Sequence, residues 1–449
     1  MWKLQDFEKR SLLWHNAFNV NIKDSLKMKN WLRISLLLCV FGFIKEFRPS
    51  EPFVYEYLIG PWRNITEDEV TQQVYPVGTY SYLVHLLIMF LITDILRYKP
   101  LIVILGLSGI AIWAMLIWTT SLFYLQVLEG VYGTFMSCEV AYYTYIYAKV
   151  DNDYYLQVSS HTRAAVLAGR ALSSILAQIL ISFSIMDYKG LNYITFGAMI
   201  LATCWSLILP PVKRSIYFHQ NNDPNILTPA RYRNAFTLMK SHFGQSFANR
   251  YVLKWSMWWA LTTAGFIQVQ VYIQPLWSEI QDYAKDANTY NGAVEAAATL
   301  LGFLSALFAG HLKIDWRGKG ELILSICSIT AASIILLSSQ TDTILVSYAS
   351  YAVFCGIYHF MITIASSEIA KCIIEDSYGL VFGLNTFFAL ALQTALTVAF
   401  VEKRTGLALS PRNQYLAYGI YHIGISAIFI LIGLISWIKS NRDIKKTYN

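Results

Sequence analysis

Charge is scarce in this chain. Asp, Glu, Lys and Arg make up 14% of its 449 residues, while hydrophobic types make up 55%. Soluble domains carry about 25% charged residues, so a water-exposed globular surface is excluded. Cysteine is sparse too. Its six copies (Cys39, Cys138, Cys204, Cys327, Cys355, Cys372) lie in or at the ends of apolar stretches. That excludes a disulfide framework and offers no metal-ligand spacing. There is no glycine-rich nucleotide loop, which argues against direct ATP coupling, and no HExxH motif. No His-x4-Asp pattern follows any of the eight histidines, which argues against a membrane acyltransferase. No cofactor is expected.

What is present is a series of twelve long apolar runs. Roughly 20 apolar residues, rising about 1.5 Å each, span a hydrocarbon core of about 30 Å. The runs are Trp31–Phe47, Gly78–Leu96, Leu101–Thr119, Phe123–Ala148, Thr162–Ser184, Leu191–Leu209, Val252–Leu276, Asn291–His311, Leu322–Ser339, Ile344–Ala370, Gly379–Val401 and Leu416–Ile438. The expected class is an all-α integral membrane protein of twelve transmembrane helices, with the lipid bilayer as its partner. The first thirty residues are polar and mixed in charge, unlike a cleaved signal peptide.

Orientation follows from Lys and Arg. With both termini cytoplasmic, most of the 35 basic residues fall in inward segments. The outward loops hold Arg48, Arg63, Lys189, Lys285, Lys403, Arg404 and Arg412. The formal charge of +7 is therefore a loop feature and does not point to nucleic acid. Asn64-Ile65-Thr66 is a glycosylation acceptor in the first outward loop, predicting a glycoprotein modified at Asn64.

The polar stretch 210–251 divides the runs six and six. The reading is a cytoplasmic segment 1–30, bundles 31–209 and 252–438, a central cytoplasmic loop 210–251 and a tail 439–449. This is the major-facilitator-type arrangement of two pseudo-symmetric six-helix bundles. The loops after runs two and eight correspond: Thr93–Pro100 and Lys313–Lys319 both mix Asp with Arg and Lys. Asp94, Arg97, Asp315 and Arg317 are the candidate gating charges; ordinary positive-inside loops are the simpler alternative.

An ionisable side chain at mid-depth costs several kcal/mol unless it is paired or meets water. Glu139 in run four and Arg170 in run five lie about 15 and 12 Å from the same face. Either Glu139 receives a cationic substrate group, or the two form a buried packing pair. Glu51, in the Arg48-Pro49-Ser50-Glu51-Pro52 break, and Glu295 are further inward candidates. Glu368 has Lys371 at i+3 and predicts a local pair. His85 and His359 predict packing roles before proton relay. The helical spacing of Glu139, Tyr142 and Ile146 puts a carboxylate beside aromatic faces, with Tyr143 alongside. That suits a flat, positively charged ring.

These stretches resemble solute carrier family 19, the reduced folate and thiamine carriers, from about Phe41 to Leu431. The resemblance rests on Phe47–Phe53, Tyr75-Pro76-Val77, Tyr80-Ser81-Tyr82, Thr93–Pro100, Glu139–Tyr147, Tyr290–Glu295 and Leu380–Phe387. It implies a plasma-membrane, multi-pass carrier of a water-soluble vitamin, not an enzyme. It implies a site of Glu51, Tyr75, Glu139, Tyr142 and Asn291, with Trp113. Vertebrate folate carriers place basic residues at positions matching Glu139, Cys355 and Gln393; none is basic here. Invertebrate relatives called folate carriers are an open alternative that shares the Glu139 and Arg170 combination. Gly78 stands where thiamine carriers have tryptophan, and Arg170 where they have tyrosine. The sign of charge at the site favours thiamine over reduced folate. The expected mechanism is secondary active transport by alternating access, coupled to a proton or an organic anion; a non-transporting receptor on the same fold is the remote alternative.

Overall fold

The computed structural model describes residues 30–63, 65–151, 154–212, 217–218, 229–284, 289–312, 314, 316–373 and 377–448. Asn64 and Asp315 lie outside the described residues, as does the side chain of Arg317. Among the described residues the regular structure is all helical. Helix α1 covers 30–45. It is followed by α2 (Val54–Ile59), α3 (Glu67–Glu69), α4 (Tyr75–Ile95), α5 (Lys99–Trp118), α6 (Leu122–Lys149), α7 (Tyr155–Ser182) and α8 (Tyr188–Ile208). Then come α9 (Pro229–Ala248), α10 (Arg250–Ala284), α11 (Asn291–His311), α12 (Trp316–Gln340), α13 (Ile344–Ala370), α14 (Tyr378–Phe400) and α15 (Pro411–Tyr448).

Eight of these are long and apolar enough, by length and composition, to cross a membrane: α5, α7, α8, α11, α12, α13, α14 and α15. Helices α1, α4, α6 and α10 coincide with the other four apolar runs. Several helices outrun the hydropathy that announced them. Helix α7 starts at Tyr155 rather than Thr162, and α15 continues to Tyr448. Hydropathy marks the part that meets hydrocarbon, whereas backbone hydrogen bonding carries the helix into water. For the same reason the polar 210–251 stretch contains a helix, α9.

Within the first half α6 packs on α4 and α5, and α5 on α8; within the second, α12 packs on α13 and α15, and α11 on α13. The halves meet through α7 against α11 and α4 against α14. Each half has its own apolar core, one around Phe41, Trp113 and Tyr142, the others around Trp277, Tyr351, Trp255 and Trp258. Large apolar side chains such as Leu36, Phe123, Phe183, Phe308, Leu345 and Ile420 stay exposed on the outside. In a membrane that is the cheap arrangement, because lipid tails are as apolar as the core.

Local chemistry sets the helix ends. Asp187 accepts from the Gly190 amide at 2.7 Å and caps α8. Thr66 and Glu69 form a reciprocal capping box on α3. Between α4 and α5, Arg97 and Tyr98 both take left-handed backbone, with φ of 59° and 66°. Buried Tyr98 stabilises that turn by donating its hydroxyl to Asp94 Oδ1 at 2.9 Å. The remaining Asp94 oxygen accepts the amides of Tyr217 and Phe218 at 3.0 and 2.7 Å. Asp94 therefore clasps the link between the halves.

Candidate functional site

Helix α1, described from residue 30 onward, stops at Lys45. Pro49 and Pro52 prevent it from continuing. The chain unwinds over Glu46–Ser50 and re-forms as a short 3-10 turn, Glu51–Phe53. Trp113 Nε1 donates to Ser50 Oγ at 2.8 Å, Thr195 Oγ1 donates to the same oxygen at 3.0 Å, and the Ser50 amide donates back to Thr195 at 3.2 Å. Trp113 thus supports the break from inside the first half; it does not face the space between the halves.

The break strings a row of charges through the middle of the molecule. Lys45 pairs with Glu139 and, at 2.7 Å, with Glu46. Arg48 pairs with Glu46 at 2.6 Å and with Glu51 at 2.5 Å. Lys45 is fully buried and sits 5.7 Å from the Tyr142 ring, while Arg48 sits over Phe135. Arg170 is in ion-pair contact with Glu295 at 2.8 Å, which bridges α7 and α11 and hence the two halves. The expected alternative pairing of Glu139 with Arg170 is therefore not the one formed. The broken helix brings Lys45 to Glu139 first, and Arg170 finds its carboxylate on the opposite half.

The row is not sealed. Arg170 keeps 32% exposure, Glu51 27%, and Glu139 and Glu295 18% each, although all lie within the bundle. Ionisable groups at such depth that keep exposed surface are the default candidates for a substrate path. Tyr143, 38% exposed, turns its ring to open space. Tyr142 does not. It is fully buried, packs at a tilt against Phe41 and donates its hydroxyl to the Leu38 carbonyl at 2.9 Å. The helical spacing was right about the shared face, but α1 covers Tyr142 and leaves Tyr143 open.

Sequence reasoning missed Glu129. This half-buried carboxylate on α6 lies against Gly78, where a Cβ would overlap it. Tyr75, Tyr132 and Tyr272 are close enough to feel its charge. Lys45, Glu46 and Arg48 were missed as site residues as well. Their signal was available: Pro49 and Pro52 end α1 just after Lys45, so Lys45, Glu46 and Arg48 fall at the break itself.

The remaining candidates sit at contacts between the halves. Tyr75 packs edge-on against Tyr272. Gln393 donates weakly to Thr79 at 3.5 Å, and its Oε1 is buried without a partner. Asn291 donates to Glu56 Oε1 at 2.6 Å. Around these, Gln274 holds the Tyr55 amide and the Glu51 carbonyl, both at 3.1 Å. Gln178 donates to the Thr289 carbonyl and accepts from the Ala293 amide. Tyr80 meets Glu402, and Lys403 meets Asp68. These cross-half bonds cluster at the end of the bundle that carries α2. Elsewhere, Glu368 forms the expected pair with Lys371 at 2.5 Å and also accepts from Tyr251. His85 is bonded to Ser81 at 3.0 Å, and His359 packs edge-on to Phe266. Among the described residues no cluster of His, Cys, Asp and Glu is suited to a metal.

A family profile described as the reduced folate carrier matches residues 29–230 and 220–417. Folate transporter 1 of Caenorhabditis elegans is 39% identical over 91% of this chain and 93% of its own length. Thiamine transporter 1 of Mus musculus is 38% identical, covering 92% of this chain and 91% of its own. The human reduced folate transporter is 33% identical over 90% of this chain and 72% of its own. Among solved structures, the POT family transporter PepTSo superposes with a TM-score of 0.64 at 13% identity, over 91% of this chain and 98% of its own. The human organic anion transporter MFSD10 gives 0.60 at 13% identity, over 91% and 99%. The structural likenesses establish the fold, an all-helical membrane transporter bundle of the major-facilitator type.

Proposed function

We propose, from the premise that this chain belongs to the reduced folate carrier family, that it carries a flat, positively charged vitamin, thiamine in preference to reduced folate, across the plasma membrane. It is a multi-pass membrane transporter by family and fold, not an enzyme. The observation that carries the choice of cargo is the charge balance of the cavity. Glu46, Glu51, Glu129, Glu139 and Glu295 stand against Lys45, Arg48 and Arg170. A surplus of carboxylates in a low-dielectric space favours a cation and opposes a dianion. The rings of Tyr75, Tyr132 and Tyr143 add stacking and cation–π surface.

In this reading the substrate cation displaces the Lys45 ammonium from Glu139, and Lys45 keeps its second partner, Glu46. Both termini are cytoplasmic, so the α2 end is extracellular and Asn64 is glycosylated. The cross-half bonds at that end then describe a closed outer gate, with the cavity reached from the cytoplasm. Rocking of the halves opens the outer gate and parts Arg170 from Glu295. Asp94, Arg97, Asp315 and Arg317 tie the cytoplasmic loops, Gln393 and Asn291 sit at contacts between the halves, and Trp113 supports the site from behind through Ser50. A proton or an organic anion is the coupling partner.

The test is uptake of labelled thiamine and labelled reduced folate into cells expressing the chain, each competed by the other. Saturable thiamine uptake that excess reduced folate leaves intact is expected. Saturable folate uptake without thiamine uptake reverses the assignment.

A further inference from the structure

We propose that Glu56 is a proton-binding site in the outer gate, and that extracellular acid holds that gate shut by protonating it. The inference takes from the proposed function only the orientation and the opening of the outer face; it needs no choice of vitamin. Glu56 projects from α2, on the connection between the first two spans and outside them. Its Oε1 accepts from Asn291 Nδ2, so the bond crosses from one half to the other. Asn291 is itself buried, and its Oδ1 accepts from the Tyr348 hydroxyl at 3.2 Å. The other carboxyl oxygen, Glu56 Oε2, is buried with no hydrogen-bond partner.

An ionised carboxylate wants donors at both oxygens, and leaving one dry is costly. The neighbours do not relieve it. Helix α11 presents Asn291, α13 presents Tyr348, α8 presents Tyr188 and α4 presents Tyr75. On the same helix is Tyr55, with Glu67 and Asp282 acting on it from beyond. Gln178 of α7 is occupied by the α11 end. Among the described residues no cation acts on Glu56. Burial consequently pushes its carboxyl up to about 7.

Opening the gate returns Glu56 to water, where a glutamate titrates at about 4.3. The closed gate is thus the tighter proton binder. Closure gains as pH falls below about 7, by up to about tenfold per pH unit, and the gain ends near the ordinary carboxylate range. Above that window the ionised Glu56 loosens the gate.

The experiment is a pH titration of the outer gate in the full chain reconstituted in lipid nanodiscs. Spin labels are placed on Thr120→Cys and Thr343→Cys, exposed positions at the outer end of each half, with the exposed Cys204 replaced by serine. The distance distribution is read by double electron–electron resonance without substrate. The short-distance population is expected to grow at the expense of the long one as pH drops from 8 to 5.5. In Glu56→Gln, which is neutral at every pH, it should be high and flat. A gate that opens and closes without regard to pH in the parent chain overturns the proposal, as does a Glu56→Gln chain that titrates like the parent. Labels that never separate overturn it together with the alternating-access reading.

Discussion

At the residue scale, the site depends on charges that share partners. Lys45 holds two carboxylates while fully buried, and removing one partner of such a pair leaves an uncompensated charge. Lys45→Met should destabilise the chain by about 3–5 kcal/mol, seen as a lower thermal unfolding midpoint in detergent. The additional replacement Glu139→Gln should recover part of that loss. Gly78 offers a second case. Any side chain there must push the Glu129 carboxylate aside, so Gly78→Trp should cut uptake at least about tenfold, at a cost of about 1–3 kcal/mol for overpacking. Uptake kinetics in the same cells check it. The sequence made Glu139, Glu51 and Arg170 legible as buried charges, because an ionisable residue in an apolar run stands out. It did not reveal which charge meets which. Lys45 reaches Glu139 from a chain position far away, and only the broken end of α1 brings them together. Glu129 escaped because it lies near the end of its run, where a charge passes for an interfacial one.

At the scale of elements, the break after α1 is the device that builds the cavity. Prolines at 49 and 52 were readable as an interruption, but the hydropathy window placed it at the outer surface. The structure places it inside, clamped by Trp113 and Thr195 through Ser50. Ser50→Ala orphans the buried Trp113 N–H and removes an acceptor from Thr195, which costs about 1–3 kcal/mol. The expected result is a lower unfolding midpoint and a weakened apparent affinity, because Arg48 and Glu51 flank Ser50. A variant with an unchanged midpoint and unchanged uptake would show that the clamp does not hold the break. Helix α9, hidden in a polar stretch, was invisible to hydropathy because its sequence, PARYRNAFTLMKSHFGQSFA, alternates apolar with charged and polar residues.

At the scale of the whole molecule, the two halves have separate cores joined by polar contacts and a few aromatic ones such as Tyr75 on Tyr272, which suits two bodies that rock. Arg170 and Glu295 form the mid-depth ion pair across that joint. Arg170→Glu and Glu295→Arg should each abolish uptake, and the double exchange should restore a measurable fraction, since the charge pair survives with its ends reversed. A double exchange no better than either single change would argue that Arg170 touches substrate directly. The central claim is that this cavity selects a cation through Glu139. It is tested most directly by equilibrium binding of labelled thiamine to the purified chain, with and without Glu139→Gln. The account predicts saturable binding that weakens at least about tenfold in Glu139→Gln, about 1.4 kcal/mol or more, and that excess reduced folate does not displace. Thiamine binding unchanged by Glu139→Gln, or a chain that binds reduced folate instead and loses it in Arg170→Ala, would contradict it.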